Sequence, residues 1–321
     1  MRMTDTYQAA IKGTLRSVRG DDGTLLAIVN DTPLALDLFW IDYVGDHAGD
    51  SDAGWRVGYQ GALLEANGGS MTLGCNPENY WLIKTRHSGA FVSVIEATPA
   101  DRFVSLSGSD LLDPNDIGGI PEPSNSMIIP PDGPAVLVGM GELPNGNIVT
   151  REQFWQRLPD SYSLAPGETR LVNFSITTGM QQSSSDTKTA TESVSASASA
   201  GWGPFSASVS ASLSKSSTST HQVTVSTQQT SLVSTSYSND GKSPVMLLNW
   251  QLADVITVFD KKGQSLASVI SSTTPTVVSG PFEVDEGSVH RREPETQQLA
   301  IDGPTDLPRL LEVRPAVEAG R

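Results

Sequence analysis

Apolar and polar positions alternate along much of this chain with the two-residue period that predicts strands. Short runs come first. TLRSVRGDDGTLLAIVND reads as two strands about a Gly20-Asp21-Asp22-Gly23 turn, and PLALDLFWIDYVGD as a third, rich in Leu, Phe and Ile. Longer runs follow between about 160 and 262: TRLVNFSITTG, HQVTVSTQQTSLVSTSYSN and SPVMLLNWQLADVITVFDKKG. Between these groups lies an irregular Pro- and acid-rich stretch, SGSDLLDPNDIGGIPEPSNSMIIPPDGP, leading into one strand, AVLVGM, at 135–140. The expected organisation is all-β: an N-terminal β-sandwich over 1–105, a connector over 106–150, an elongated module of long antiparallel strands over 151–282, and an extended charged tail over 283–321.

The most regular alternation is ESVSASASAGWGPFSASVSASLSKSS, residues 192–217. Val194, Ala196, Ala198 and Ala200 would share one strand face, with serines on the other. After a Gly201-Trp202-Gly203-Pro204 loop the parity switches, and Phe205, Ala207, Val209, Ala211 and Leu213 become the apolar set. Pairing 200 with 205, 198 with 207, 196 with 209 and 194 with 211 puts apolar opposite apolar at every rung, whereas a one-residue slip would oppose apolar to serine throughout. Glu192 and Lys215 continue the apolar parity with charges and so bound the greasy band. One apolar and one wet face suit a hairpin of a membrane-spanning β-barrel, with Trp202 and Phe205 at a tip suited to the membrane interface. The same letters also admit a Ser/Ala-rich linker, a hairpin packed on a soluble core, or an adhesive repeat.

A strand entering (SYSLAPGETRLVNFSITTG), a Ser/Thr-rich stretch, a charge-free amphipathic hairpin, a second Ser/Thr-rich stretch and strands returning (LVSTSYSNDGKSPVMLLNWQLADVITVF) together resemble the pore-forming module of the aerolysin-like β-pore-forming toxins. The resemblance covers about 160–262. It implies a soluble monomer that binds a receptor, oligomerises and inserts 193–214 as a transmembrane hairpin, with 175–191 and 215–236 forming the polar barrel above the membrane. Within 28–95, Asn30, Trp40, Ile41, Asp42, Tyr43, Gly45, Tyr59, Leu63 and Trp81 loosely resemble a von Hippel–Lindau-type β domain, which implies a small β-sandwich. The module would carry receptor recognition, with Trp40, Tyr43, Trp55, Tyr59, Tyr80 and Trp81 as its receptor-facing aromatics. Some aerolysin-like proteins need removal of a terminal segment, and Arg291-Arg292 in the tail offers a trypsin-like site.

Composition narrows the alternatives. A formal net charge of −15 and a pI near 4.6 oppose any phosphate-tracking surface, so nucleic acid is not an expected partner. The single cysteine, Cys75, permits no intramolecular disulfide and reads as a small buried hydrophobe. His47, His87, His221 and His290 are scattered outside metal-ligand spacing, and Asp46, Asp50 and Asp52 miss the EF-hand pattern, so no metal or other cofactor is expected. No nucleophile elbow, P-loop or dinucleotide fingerprint is present, and no enzymatic activity is expected. The N-terminal twenty residues lack the apolar stretch of a signal peptide, and no apolar run reaches helical-span length. These readings lead to a soluble protein released to act on target-cell membranes, forming a homo-oligomer there. The rival is a non-lytic lectin- or adhesin-like binding protein.

Overall fold

The computed structural model describes residues 6, 9–10, 14–20, 23–41, 57–107, 132–183, 185–196, 201–213, 223, 225–272 and 277–283, with backbone alone for 57–62, 181–183 and 277–283. Among the described residues, fourteen strands and two helices have defined bounds. The fold is all-β, as the alternation predicts.

In the N-terminal part, β1 (Thr24–Asn30) pairs antiparallel with β4 (Gly69–Cys75) and parallel with β7 (Arg102–Leu106) in a three-stranded sheet. Facing it are β2 (Leu36–Ile41), β3 (Val57–Leu64), β5 (Tyr80–Thr85) and β6 (Phe91–Glu96). Alternate residues of both layers, among them Leu26, Ile28, Leu36, Leu38, Ile83 and Ile95, fill the space between as one core. Asn30 closes the end of β1. Its Nδ2 donates to the carbonyls of Leu34, Leu64 and Glu65, and its Oδ1 accepts from the backbone N and Oγ1 of Thr32.

The second layer continues without a break. Strand β8 (Val136–Glu142) touches β6 in a short parallel pairing, Phe91 to Val136, and runs antiparallel to β9 (Ile148–Leu164). Beyond β9 come β12 (Val245–Phe259), β13 (Ser265–Ser272), β10 (Thr169–Ser183) and β11 (Gln229–Ser238), so that one sheet of eleven strands includes both groups; β14 (Val277–Glu283) adds to β12. Residues Thr150 to Gln153 of β9 are buried one after another because the sheet is covered on both faces there. Arg151 and Asp254, diagonal neighbours on β9 and β12, satisfy each other's charge in a two-bonded pair, Nε to Oδ1 at 2.9 Å and NH2 to Oδ2 at 3.1 Å.

One expectation fails here. The described residues of 193–214 form no β-hairpin: α1 (Thr187–Ser193) ends at the start of this stretch and α2 (Trp202–Leu213) occupies its second half. Val194 caps the C-terminus of α1, Ala196 follows it, Gly201 sits in the turn before α2, and Gly203 and Pro204 lie in the first turn of α2. There a proline ring costs no helical hydrogen bond. The reason for the difference is arithmetic. Phe205, Val209 and Leu213 stand four apart, a spacing that satisfies both a strand face and a helical stripe. In the helix they are buried with Trp202, whereas Ala207 and Ala211, which strand parity would place beside them, are exposed. Ala198, Ala200 and Lys215 lie outside the described residues.

Candidate functional site

The helical segment is seated on the sheet by three devices. Apolar packing comes first. Ala190 and Val194 of the α1 region, with Trp202, Phe205, Val209 and Leu213 of α2, join Val149, Ile256, Val258, Ala267 and Val269 in one core. Val149, Val258 and Ala267 are register neighbours on β9, β12 and β13, so they form a continuous apolar row for the helices to cover. Trp202 and Phe205 meet edge to face with centroids 5.9 Å apart.

Room for the helix comes second. A Cβ at Gly141 of β8 would collide with the carbonyl group of Ser212, and one at Gly139 would come 3.2 Å from Leu213 Cδ2. The two glycines let the C-terminal turn of α2 lie directly on the β8 backbone.

Polar clasps come third. The β8–β9 turn grips the end of α1, with Asn147 Nδ2 donating to Ser193 O at 2.8 Å and Asn145 Nδ2 donating to the same oxygen at 3.0 Å and to Ser195 Oγ at 3.1 Å. Ser195 itself sits at φ 58°, a left-handed conformation uncommon for a non-glycine residue. On α2, Ser206 and Ser210 bind the returning chain: both hydroxyls donate to Val223 O, Val223 N donates to Ser210 Oγ at 3.0 Å, and Val225 N to Ser206 Oγ at 3.4 Å. The serines read as a wet strand face thus serve as side-chain partners for backbone that no strand pairs.

At the N-terminus of α1, Asp186 Oδ1 accepts from Thr189 N at 2.7 Å. That hydrogen bond holds the Asp186 carboxyl below its ordinary value, with the neighbouring Lys188 charge adding to the effect. Glu192 lies 3.9 Å from Lys188, one turn away on the same exposed face.

The predicted receptor-facing aromatics divide by strand parity. Trp40 and Trp81 are register partners on β2 and β5 and turn toward the sandwich core, Trp40 half-buried and Trp81 buried. Tyr80 takes the opposite face, beside Leu82 and Phe91. Burial pushes its hydroxyl up, and the charges of Glu96 and Glu78 add to this. Tyr59 pairs with Trp40 on the backbone ladder, while Tyr43, Trp55 and the Arg291-Arg292 pair lie outside the described residues. Cys75 is free and buried, and burial pushes its thiol up. No helix among the described residues is long and apolar enough to cross a membrane, a test that does not bear on strands.

The glycine seat and the asparagine clasp escaped sequence reasoning. Gly139-Met140-Gly141 carries the signal of a strand approached closely by another backbone, but which backbone approaches is a property of the fold alone.

The class defined here is an all-β protein whose longest strands carry a helical segment parked on one face. No protein-family model matches the chain, and no curated protein matches it. Among solved structures, a crystal structure of Cry35Ab1 is similar at 11% identity and a TM-score of 0.38, over 64% of this chain and 68% of that one.

Proposed function

We propose that this chain is a β-pore-forming protein in which residues 193–214 leave their helical seat, pair as a hairpin and insert into a target membrane as part of a closed oligomeric barrel. One observation carries the reading: the register of the ribbon that flanks the segment. Strands β10 and β11 pair from Thr169–Ser238 to Thr178–Gln229 without a slip. If that ladder is continued inward, it turns between Gly203 and Pro204. Trp202 then meets Phe205, Ala200 meets Ala207, Ala198 meets Val209, Ala196 meets Ala211 and Val194 meets Leu213, and the next rung on that face opposes Glu192 to Lys215.

This pairing differs by two residues from the one that a four-residue loop suggests, and it is the better of the two. It aligns apolar with apolar on five rungs and opposite charge with opposite charge at the limit. The apolar row runs from Val194 to Trp202 on one strand and from Phe205 to Leu213 on the other, nine residues each, against the roughly 9–11 that a tilted barrel strand needs. Val172, Phe174 and Ile176, the buried residues of β10, share the parity of that row, so the hairpin would extend the ribbon with its faces preserved. Gly179 stands where the ribbon stops. It adopts φ 80°, and a Cβ there would come 2.6 Å from Thr227 O.

In this reading the chain binds a receptor, assembles with further copies of itself at the surface of a target cell and permeabilises it without catalysis. Dye release from liposomes of total cell lipid and from intact cells, combined with negative-stain imaging, tests it; release together with rings is expected. The register is tested in a Cys75→Ala background. An Ala198→Cys/Val209→Cys pair should cross-link on membranes far faster than Ala196→Cys/Val209→Cys, because directly opposed Cβ atoms lie about 4.5–5.5 Å apart and diagonal ones about 7–8 Å apart. A folded protein that releases no dye, forms no rings and retains its helical signal on these membranes overturns the proposal.

A further inference from the structure

A cleft of about 640 Å³ opens in the N-terminal sandwich at the start of β1 and the end of β4. Trp40 and Trp81 border it, and as register partners they stand on the same side of their sheet. Trp81 is only 8% exposed, and its Nε1 has no hydrogen-bond partner.

The opposite wall is polar. Asp101 is held by its own Oδ1, which accepts from Leu25 N at 2.9 Å and from Thr24 Oγ1 at 3.3 Å. No hydrogen bond to its Oδ2, or to the side-chain amide of Asn76, is made among the described residues. The cleft therefore offers an aromatic surface, fixed acceptors and an unused amide together, and among the described residues no lysine or arginine lines it.

We propose that this cleft binds the neutral sugar ring of a glycan. A pyranose stacks its weakly positive C–H face on the negative face of an indole, and its hydroxyl groups both donate and accept. They match Asp101 Oδ2 and the Asn76 amide at once. An anionic ligand would find a carboxylate and, among the described residues, no cation, within a protein of net charge −15. A quaternary ammonium could use the rings and the carboxylate, but it has no acceptor for the Asn76 amide. The site is independent of pore formation and gives the receptor of that reading a chemical class.

The test uses the full chain without a membrane: neutral, sialylated and sulfated oligosaccharides in parallel, followed by titration of the best neutral ligand through tryptophan fluorescence. Binding to neutral glycans is expected. Asn76→Ala and Asp101→Asn should each weaken it about tenfold, the loss of one hydrogen bond to a well-ordered partner. Gly74→Leu should abolish it by filling the cleft, since a Cβ at Gly74 meets nothing within 4 Å. An unchanged melting curve for Asn76→Ala and Gly74→Leu shows that the fold survives. A folded wild type that ignores neutral glycans, variants that bind as tightly as wild type, or binding confined to the sialylated and sulfated oligosaccharides would each overturn the site. Because no bilayer is involved in the titration, a negative result leaves pore formation standing, and absent dye release leaves the site standing.

Discussion

The β10–β11 ribbon and the segment that connects its two strands are written in nearly the same alphabet, hydroxyl residues alternating with apolar ones, yet one is sheet and the other, among its described residues, largely helix. The ribbon's apolar positions are Val172, Phe174 and Ile176, buried against Leu158, Leu164 and Leu247. β-Branched and aromatic side chains favour the pleated surface. In the linking segment alanine holds half of the corresponding positions, and alanine is the strongest helix former. Alternation of polarity therefore states which faces are available, while side-chain shape decides which conformation takes them up. Alanine leaves the second choice nearly open, and a helical seat with its own core and clasps decides it in this structure.

The largest effect is expected from Phe205→Ala. Phe205 is fully buried between α2 and the sheet, and truncation of such a residue costs about 3–5 kcal/mol. The helical signal should fall together with thermal stability, and protease cleavage should appear within 201–213. Phe174→Ala in the ribbon is the matched control, expected to cost a similar amount with no selective loss of the helical segment. If both variants lose helix in parallel, the two regions are one cooperative unit and the contrast breaks.

Gly141→Ala acts on the seat without touching the segment. Its new Cβ meets backbone rather than a flexible side chain, and overpacking of this kind costs about 1–3 kcal/mol. Hydrogen exchange of α2 amides should accelerate while β10–β11 protection stays unchanged. On membranes the variant should release dye at lower protein concentration than wild type. Slower release than wild type would show that the helical seat assists assembly.

Much of this architecture was legible beforehand. The all-β class, the sandwich at the N-terminus and the long strands of the C-terminal half follow from period-2 runs bounded by turn residues. The buried Cys75 follows from its residue type. The helices were not legible, because Phe205, Val209 and Leu213 satisfy two periods at once and no local signal separates them. Nor could the strand-parity argument place the hairpin register, since the loop length assumed for Gly201–Pro204 sets it. In the proposed hairpin that information would come from outside the segment, from the β10–β11 ladder. Likewise, Trp40 and Trp81 stood out as aromatics, but Asn76 and Asp101 became partners only through tertiary approach.

Shape rather than polarity is tested by Ala207→Val/Ala211→Val. Both alanines are exposed on α2, so the change adds no clash with the sheet and leaves the binary pattern of the segment intact. Helix propensity falls by about 0.5 kcal/mol per site, and strand preference rises. A loss of about 1 kcal/mol in monomer stability is expected, with faster conversion on membranes. If conversion is unchanged, alanine content does not control the switch.

The smallest effect belongs to Asp186, and it carries a pH sign. Its carboxyl lies below the ordinary value of 3.8 because the charged form accepts from Thr189 N at the start of α1. A group depressed in the folded state contributes stability above its unfolded value, and that contribution disappears as pH falls through the folded value. Neutral and mildly acidic buffers should therefore leave α1 capped, and the cap should be lost only below about pH 3.8. Asp186→Ala should remove that pH dependence while lowering stability less than Gly141→Ala does. The ribbon, which has no such cap, should melt identically in the variant and in wild type across the same range. A variant that keeps the full acid sensitivity of α1 would move the switch to another carboxylate.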